Sequence, residues 1–383
     1  MNILKYICLP GLLVSGDIQT VSAVESKTDK NPNILVILID DAGYNDFGFM
    51  GSKEMQTPNI DALTSEGVVF TDAHVAATVS SPSRACLITG RYGHRFGYEC
   101  NLSDRTNGLP LEEETIAEVF KTNGYRTAAI GKWHLGSRDE QHPNNRGFDL
   151  FYGMKAGGRD YFYNEKKSDR PGDERNLLLN DRQVKFEKYL TDAFSEKAVE
   201  FINESSQPFM MYLAYNAVHT PMQATDEDMA KFEGHPRQKL AAMTYALDRG
   251  VGTVIRGLKD SGKFDNTLIF FLSDNGGATT NQSSNYPLKG FKGNKFEGGH
   301  IFHPPATVSP APASKRLQRG QYRSVDSFPP DVSLHGFWLH WLSCHRYFPA
   351  TRRLLRGSSP SPAGSVKIRK AVPLFSRRLP RGS

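Results

Sequence analysis

Apolar, β-branched runs that recur along the chain constrain the fold more than any other feature of this sequence. The run ILVILI at 34–39 is apolar at every position, which is typical of a parallel strand buried on both faces. Three further strands are predicted at RTAAIG (126–131), FMMYLAY (209–215) and TLIFFLSDN (267–275). The chain therefore has several strands that need cover on both sides.

Helical patterns between these strands predict that helices cover both faces of the sheet. Helices are predicted at 57–67, 113–124, 191–205 and about 237–259, with Pro58 near the start of the first. Strands that alternate with helices predict an α/β fold with a mostly parallel central sheet flanked by helices. In such sheets, ligands bind beyond the carboxyl ends of the strands.

The first 23 residues predict an export signal. Lys5 gives a weakly positive start, YICLPGLLVSG is a short apolar run that contains Pro10, and VSA at 21–23 is a small-residue cleavage site. The apolar run is too short to span a bilayer, and no membrane span is predicted elsewhere. We therefore expect a secreted or periplasmic protein.

Cysteine content predicts little covalent cross-linking. The chain has four cysteines, which do not form a disulfide framework in 383 residues. Cys8 would leave with the signal, so at most one bridge is expected. The pair Cys86 and Cys100 is the candidate.

The last part of the chain differs from the rest in composition. Residues 301–383 contain 14 Lys and Arg but 2 acidic residues, and 11 of the 22 prolines. There is no aromatic stacking series, and nucleic-acid binding is not predicted. Residues 331–383 are interpreted as a basic Pro/Arg/Ser-rich tail, translated out of frame or from a truncated gene. A true basic tail that binds a polyanion is the alternative.

Polar side chains follow the first and last predicted strands. Asp40 and Asp41 end one strand, and Asp274 and Asn275 end the other. Adjacent buried carboxylates repel each other unless a cation lies between them. Because the donors are oxygens, without Cys or His, they predict calcium or magnesium rather than zinc. Either pair taken alone could instead cap a helix or contact water.

Cationic and imidazole side chains are predicted at the same edge of the sheet. GKWHLG holds Lys132 and His134, which lie on one side if the chain there is extended. NAVHTP places His219 after the next strand, and LKGFKGNKFEGG (288–299) adds Lys292 among glycines. Each residue alone is more often a surface lysine or a structural histidine, but together they predict an anion site.

The stretch TVSSPSRACLITGR at 78–91 begins like the start of a helix, where Ser and Pro are common for structural reasons alone. Together with ILIDDAGYND, GKWHLG, VHTP, SDNGG and GFKGNKFEGG, in that order, it resembles the sulfatases of the alkaline phosphatase superfamily. The resemblance covers roughly residues 31–300. A catalytic domain is assigned to 31–330, since YRSVDSFPP (322–330) still resembles the family. Compared with that family, we expect the usual C-terminal subdomain to be absent or replaced.

The resemblance implies a chemistry and a set of residues. Ser80 would be oxidised to 3-oxoalanine (formylglycine) by an anaerobic maturing enzyme, which implies a bacterial source. Calcium would be held by Asp40, Asp41, Ser80, Asp274 and Asn275, with magnesium also possible. Arg84 would support the modified residue, Lys132 and Lys292 would bind the sulfate, His219 would protonate the leaving oxygen, and His134 would accept a proton later.

The expected activity is hydrolysis of sulfate esters on a sulfated carbohydrate or an aryl sulfate. His94, Arg159 and Asp160 are candidate sugar contacts, although ordinary surface loops explain them equally well. Two alternatives stay open. One is a metal-dependent phosphatase or phosphodiesterase of the same superfamily, which would need a second Asp/His ligand set. The other is a catalytically impaired, truncated sulfatase that only binds a glycan.

Overall fold

The structure, a computed structural model, describes residues 31–70, 73–101 and 108–300 and a short strand at 305–306. The predicted signal at 1–23 and the tail at 331–383 lie outside the described residues. Strands are β1 (Asn33–Ile39), β2 (Val68–Val69), β3 (Arg126–Lys132), β4 (Leu150–Met154), β5 (Leu178–Leu179), β6 (Arg182–Gln183), β7 (Phe209–Ala214), β8 (Thr267–Ser273) and β9 (Pro305–Ala306). Helices are α1 (Pro58–Ser65), α2 (Ser80–Thr89), α3 (Ile116–Thr122), α4 (Leu190–Glu204), α5 (Asp226–Ala230), α6 (Gln238–Asp260) and α7 (Glu297–His300).

A seven-stranded sheet with the order β6-β5-β4-β3-β7-β1-β8 forms the centre of the described chain. Strands β4, β3, β7, β1 and β8 pair in parallel. Strands β5 and β6 add antiparallel pairs at one edge, so the sheet is mixed. This confirms the predicted α/β fold with a mostly parallel sheet flanked by helices.

The all-apolar sequence of β1 follows from burial on both faces of the sheet. Leu35, Ile37 and Ile39 pack into a core that includes α4 and α6. The alternate side chains Ile34, Val36 and Leu38 pack into a second core that includes residues of α2 and α3. Because successive side chains of a strand point to opposite faces, both sets must be apolar. β1 is therefore fixed in the centre of the fold.

Local capping explains one shift in an element boundary. The sequence predicts a helix from residue 113, but α3 begins at Ile116. Thr115 accepts a hydrogen bond from the Glu118 backbone N–H, and the Glu118 carboxylate accepts one from the Thr115 N–H. This capping box fixes the first turn of the helix at that point.

The expected disulfide between Cys86 and Cys100 is wrong. Both cysteines carry free thiols, with Cys86 buried and Cys100 exposed. The Cys86 Sγ accepts a hydrogen bond from the Gly93 backbone N–H at 3.1 Å. Cys86 therefore faces the turn that follows α2, while Cys100 lies at the surface. Among the described helices, none has the length and apolar content needed to cross a bilayer.

Close contact between β3 and β7 depends on Gly131, which precedes Lys132. Its φ is +106°, and a Cβ at this position would lie 1.9 Å from the carbonyl oxygen of Ala214. Only glycine fits such a left-handed conformation without both strain and overlap. Gly131 therefore positions the end of β3 against its neighbour.

Gly131→Ala is expected to lower the free energy of unfolding by at least about 3 kcal/mol, because strain and overlap add. The matched control is Gly172→Ala, where φ is +75° but no atom lies within 4 Å of the added Cβ. The control should lose about 1 to 2 kcal/mol from backbone strain alone. Urea unfolding of both variants measures the difference, and equal losses would contradict the argument.

Candidate active site

Ser80 lies at the first position of α2, and its hydroxyl meets groups from three other segments. Val79 precedes the helix in an extended conformation. The Ser80 Oγ donates to Asp40 Oδ1 at 3.1 Å and lies 3.3 Å from Asn275 Oδ1. Lys132 Nζ lies 3.5 Å from the same oxygen. Ser80 is buried, so these contacts form in an environment that excludes most water.

The parallel sheet brings the acidic residues together at the carboxyl ends of β1 and β8. Ile39 pairs with Ser273, so Asp40 and Asp274 follow the two strands at equivalent positions. Asp41 has a φ of +60°, and its backbone N–H donates to Asp274 Oδ1 at 3.3 Å. The Asn275 amide donates to Asp41 Oδ1 at 2.8 Å. The two strand ends therefore form one connected polar cluster.

Three cations neutralise the three carboxylates of this cluster. Arg84 Nε and Nη2 donate to Asp274 Oδ2 at 3.1 and 2.8 Å. Lys132 Nζ lies 2.6 Å from Asp40 Oδ2, and Lys292 Nζ lies 2.6 Å from Asp41 Oδ1. The side chains of both Arg84 and Lys132 are fully buried. Buried charges of this kind need such partners, since each alone would carry a large desolvation cost.

The charges hold key groups in their ionised forms. Burial raises the pKa of Asp40, but the charges of Lys132, His219 and Arg84 outweigh burial and hold this pKa below its usual value. Burial lowers the pKa of Lys292, but nearby carboxylates, with Asp40 first, raise it above its usual value. Both side chains are therefore charged at neutral pH.

His219 lies at the open side of the cluster. Its Nδ1 lies 2.6 Å from the Thr220 carbonyl oxygen, which can only accept, so Nδ1 carries a proton. Its Nε2 is 3.7 Å from Asp41 Oδ2. The Tyr161 hydroxyl donates to the carbonyl oxygen of Asn216 at 2.6 Å and lies 2.9 Å from that of His219, which anchors the loop. His219 thus directs its Nε2 toward the carboxylates.

His134 reaches the site by a route that differs from the sequence argument. β3 ends at Lys132, and His134 has a φ of +57°, so the two residues are not on one side of an extended strand. The expected alternation is wrong, because the chain turns after β3. Burial first, then the charges of Lys132 and Arg84, hold the pKa of His134 well below its usual value. Its imidazole is therefore neutral at neutral pH.

The donor set fits a hard divalent cation. Asp40, Asp41 and His219 each offer one ligand atom, and these atoms lie within 4.8 Å of one another. The hydrogen bonds of Ser80 bring the Asp40 and Asn275 oxygens to the same hydroxyl. Carboxylate and amide oxygens are the preferred ligands of calcium. His219, which the sequence predicts at the same edge of the sheet but not as a metal ligand, lies beside the carboxylates.

The three candidate sugar contacts lie in different environments. His94 is exposed in a short 3-10 turn. Arg159 and Asp160 are buried, which does not fit the alternative of an ordinary surface loop for these two. Arg159 Nη2 donates to both Asp169 oxygens at 2.8 Å, and its guanidinium lies over the Phe186 ring. Contact of these three residues with substrate stays a prediction.

Two residues that organise the site have no clear sequence signal. Asn281 is buried and donates through Nδ2 to the carbonyl oxygens of Asp41 and Val218, at 3.0 and 2.9 Å. It ties the loop after β1 to the loop that carries His219. Tyr161 contacts the same loop through its hydroxyl. A single Asn or Tyr in a loop does not reveal such contacts, because they join segments far apart in the chain.

Arg84→Gln is expected to lower the free energy of unfolding by about 3 to 5 kcal/mol in a calcium-free buffer, because it leaves the buried Asp274 carboxylate without its cation. The control is Lys185→Ala, which removes the exposed ion pair with Glu165. Urea unfolding of the control should match that of the unaltered protein. A loss for Arg84→Gln no larger than for the control would show that the buried pair does not stabilise the fold.

Comparisons with known proteins relate this fold and site to other chains. A family model described as Sulfatase matches residues 32–332. The chain is 33% identical to the uncharacterized sulfatase YdeN of Escherichia coli K12, with 72% of this chain and 57% of that protein covered. It is 37% identical to arylsulfatase J of Mus musculus, with 79% and 52% covered. The chain spans about half the length of the curated relatives it matches.

Solved structures give the same picture. The crystal structure of Ps i-CgsB in complex with k-i-k-neocarrahexaose is 46% identical with a TM-score of 0.68, and the match covers 72% of this chain and 65% of that one. PsFucS1 sulfatase from Pseudoalteromonas sp. is 27% identical with a TM-score of 0.60, and the match covers 73% of this chain and 62% of that one. The fold is therefore shared with other solved chains.

Proposed function

The chain belongs to the sulfatase family, and from that premise we propose that it hydrolyses sulfate esters with residue 80 as the nucleophile. The observation that carries the proposal is the position of the Ser80 hydroxyl, which contacts Asp40, Asn275 and Lys132 at once. A sulfate ester is an anion that repels nucleophiles. Cations placed around the nucleophile offset the negative charge of the sulfate group, so the nucleophile can approach the sulfur atom.

A serine hydroxyl alone is a poor nucleophile toward such an anion, which supports oxidation of Ser80 to 3-oxoalanine. As a hydrate, the oxidised residue offers two hydroxyls on one carbon, one to attack sulfur and one to drive the release of sulfate. The position of residue 80 at the start of α2 favours its role as a nucleophile, because free backbone N–H groups and the helix dipole stabilise negative charge there.

We propose that five residues bind calcium, or magnesium in its place: Asp40, Asp41, residue 80, Asp274 and Asn275. When bound, the cation polarises the nucleophile and a sulfate oxygen. The contacts among these residues support the assignment, since Asn275 and Asp274 each hydrogen-bond to Asp41. Arg84 keeps Asp274 in place through its two donors.

Lys132 and Lys292 are proposed to bind the sulfate oxygens. Both ammonium groups lie at the carboxylate cluster, and Lys292 is less buried, with 19% of its side chain exposed. Lys292 therefore lies nearer to the side from which substrate enters. Charges that are fixed before the reaction stabilise the developing anion without the cost of reorganising solvent.

His219 and His134 are proposed to move protons. His219 carries a proton on Nδ1, so a second proton on Nε2 can pass to the leaving oxygen. The neutral imidazole of His134 can accept the hydroxyl proton when sulfate is released. The two rings lie in differing electrostatic environments. The Nε2 of His219 faces the Asp41 carboxylate, whereas burial and then the charges of Lys132 and Arg84 hold the pKa of His134 well below its usual value.

We propose a sulfated carbohydrate as the substrate. Ps i-CgsB, which was crystallised in complex with k-i-k-neocarrahexaose, is 46% identical to this chain. That oligosaccharide is therefore the first probe to use, beside a simple aryl sulfate. Export, as the first 23 residues predict, would give the protein access to such polymers.

Oxidation at Ser80 is the first outcome to measure. After co-expression with an anaerobic sulfatase-maturing enzyme, peptide mass spectrometry should show the loss of two hydrogens at residue 80. Release of sulfate from k-i-k-neocarrahexaose or an aryl sulfate should follow and should require calcium or magnesium. Ser80→Ala should abolish both, while Ser81→Ala should retain the mass change, because only the first serine is the site.

An unmodified Ser80 without sulfate release would contradict the hydrolase proposal. Binding of the oligosaccharide without turnover would then favour a glycan-binding protein. Release of phosphate from an aryl phosphate, at a rate above that for the aryl sulfate, would favour the phosphatase alternative.

Lys292→Ala is expected to lower kcat/KM for sulfate release by about 10² to 10³-fold, because it removes a preorganised charge from the developing anion. Lys289→Ala is the matched control in the same loop. Lys289 is exposed, and its ammonium lies over the Phe296 ring 4.2 Å from the centroid. Steady-state kinetics should leave the control within about twofold of the unaltered enzyme, and similar losses in both variants would contradict the role of Lys292.

A further inference from the structure

A second cluster of metal-ligand side chains lies outside the candidate active site. His74, Glu297 and His300 offer three ligand atoms that lie within 4.8 Å of one another. His74 Nε2 is 3.1 Å from Glu297 Oε2, and His300 Nδ1 is 3.9 Å from the same oxygen. The two imidazole rings are 5.3 Å apart, centre to centre. One carboxylate oxygen thus faces two histidines.

We propose that this cluster binds a divalent transition-metal ion of the zinc class. In a tetrahedral site, metal–ligand bonds of about 2.0 to 2.1 Å separate neighbouring ligand atoms by roughly 3.3 Å. The observed distances of 3.1 and 3.9 Å lie on either side of that value. Two imidazoles and one carboxylate suit zinc, cobalt or nickel, whereas calcium prefers oxygen ligands. The cluster therefore differs in metal preference from the Asp40 and Asp41 site.

The backbone holds the three ligands in this arrangement. Glu297 and His300 are three residues apart in α7, so they lie on the same side of one helical turn. His74 comes from the segment that leads to α2. The Val75 backbone N–H donates to the His300 carbonyl oxygen at 2.9 Å, which joins the two segments beside the ligands. Little rearrangement is needed to bind a metal here.

The site also has access for a further ligand. Both histidines line a cleft of about 330 Å³, whose wall includes Thr78, Arg91 and Tyr92. Three protein ligands leave a fourth tetrahedral position for water or for a small anion from this cleft. The side chains of His74 and Glu297 are 43% and 56% exposed, so a metal can reach them from solvent.

A metal at this cluster would join the two segments that carry candidate catalytic residues. The His74 segment continues into Ser80, and the segment before Glu297 carries Lys292. The Gly293 backbone N–H already donates to the Thr78 carbonyl oxygen at 2.8 Å. We infer that bound metal restrains the separation of these segments. The site itself does not depend on the proposed hydrolase activity.

Zinc binding to the untagged, full-length protein tests the proposal. In excess calcium, added to occupy the proposed oxygen site, competition with a chromophoric chelator should reveal one zinc site per chain. His74→Gln, Glu297→Gln and His300→Gln should each weaken it by at least about 10-fold. His235→Gln is the control, since His235 lies outside the cluster, and its affinity should be unchanged. Added zinc should also raise the unfolding temperature of the unaltered protein but not of His300→Gln.

Cobalt gives an independent readout. Co²⁺ in place of zinc should produce the intense visible absorption of four-coordinate cobalt, and the three variants should lose it. If the unaltered protein binds no zinc in excess calcium, the proposal is wrong. It is equally wrong if the three variants bind zinc as tightly as the His235→Gln control. Because these measurements do not use sulfate release, failure here leaves the hydrolase proposal untouched.

Discussion

Buried charges at the carboxyl ends of β1 and β8 are the constraint on which the rest of this site depends. Asp40, Asp41 and Asp274 lie together without exposure to bulk water, and each has a cationic partner within 2.8 Å. Such a cluster is stable only while its charges stay matched. The partners come from α2, from β3 and from the loop before α7. The charge balance therefore ties five distant segments of the chain to one point.

The register of the parallel strands determines where the charged side chains lie relative to one another. β1 lies between β7 and β8, and all three strands run in the same direction. Their carboxyl ends meet at one edge, so loops that follow them converge there. Gly131 allows β3 to approach β7 closely, which brings Lys132 to the cluster. Small changes in packing between strands would thus alter distances between charged groups.

Much of the fold and most of the cluster could be predicted from sequence, because hydrophobic patterns and strand ends are local signals. The apolar run of β1 indicated a strand covered on both faces. Asp40 and Asp41 followed from the end of that strand, and Asp274 and Asn275 from the end of β8. Two other expectations were wrong, since they depended on the path of the chain in space. Cys86 and Cys100 do not pair, and His134 follows a turn instead of an extended strand.

The sequence by itself determined the alternation of strands and helices and the types of side chain at the strand ends. These features depend on periodicity and on residue chemistry, which can be identified from residues close together in the sequence. Only the tertiary structure decided which carboxylate pairs with which cation, and that Asn281 and Tyr161 brace the His219 loop. It also brought His74 to Glu297 and His300, more than two hundred residues along the chain. Contacts of this kind depend on the packing of distant segments, because neither partner carries a local signal of the other.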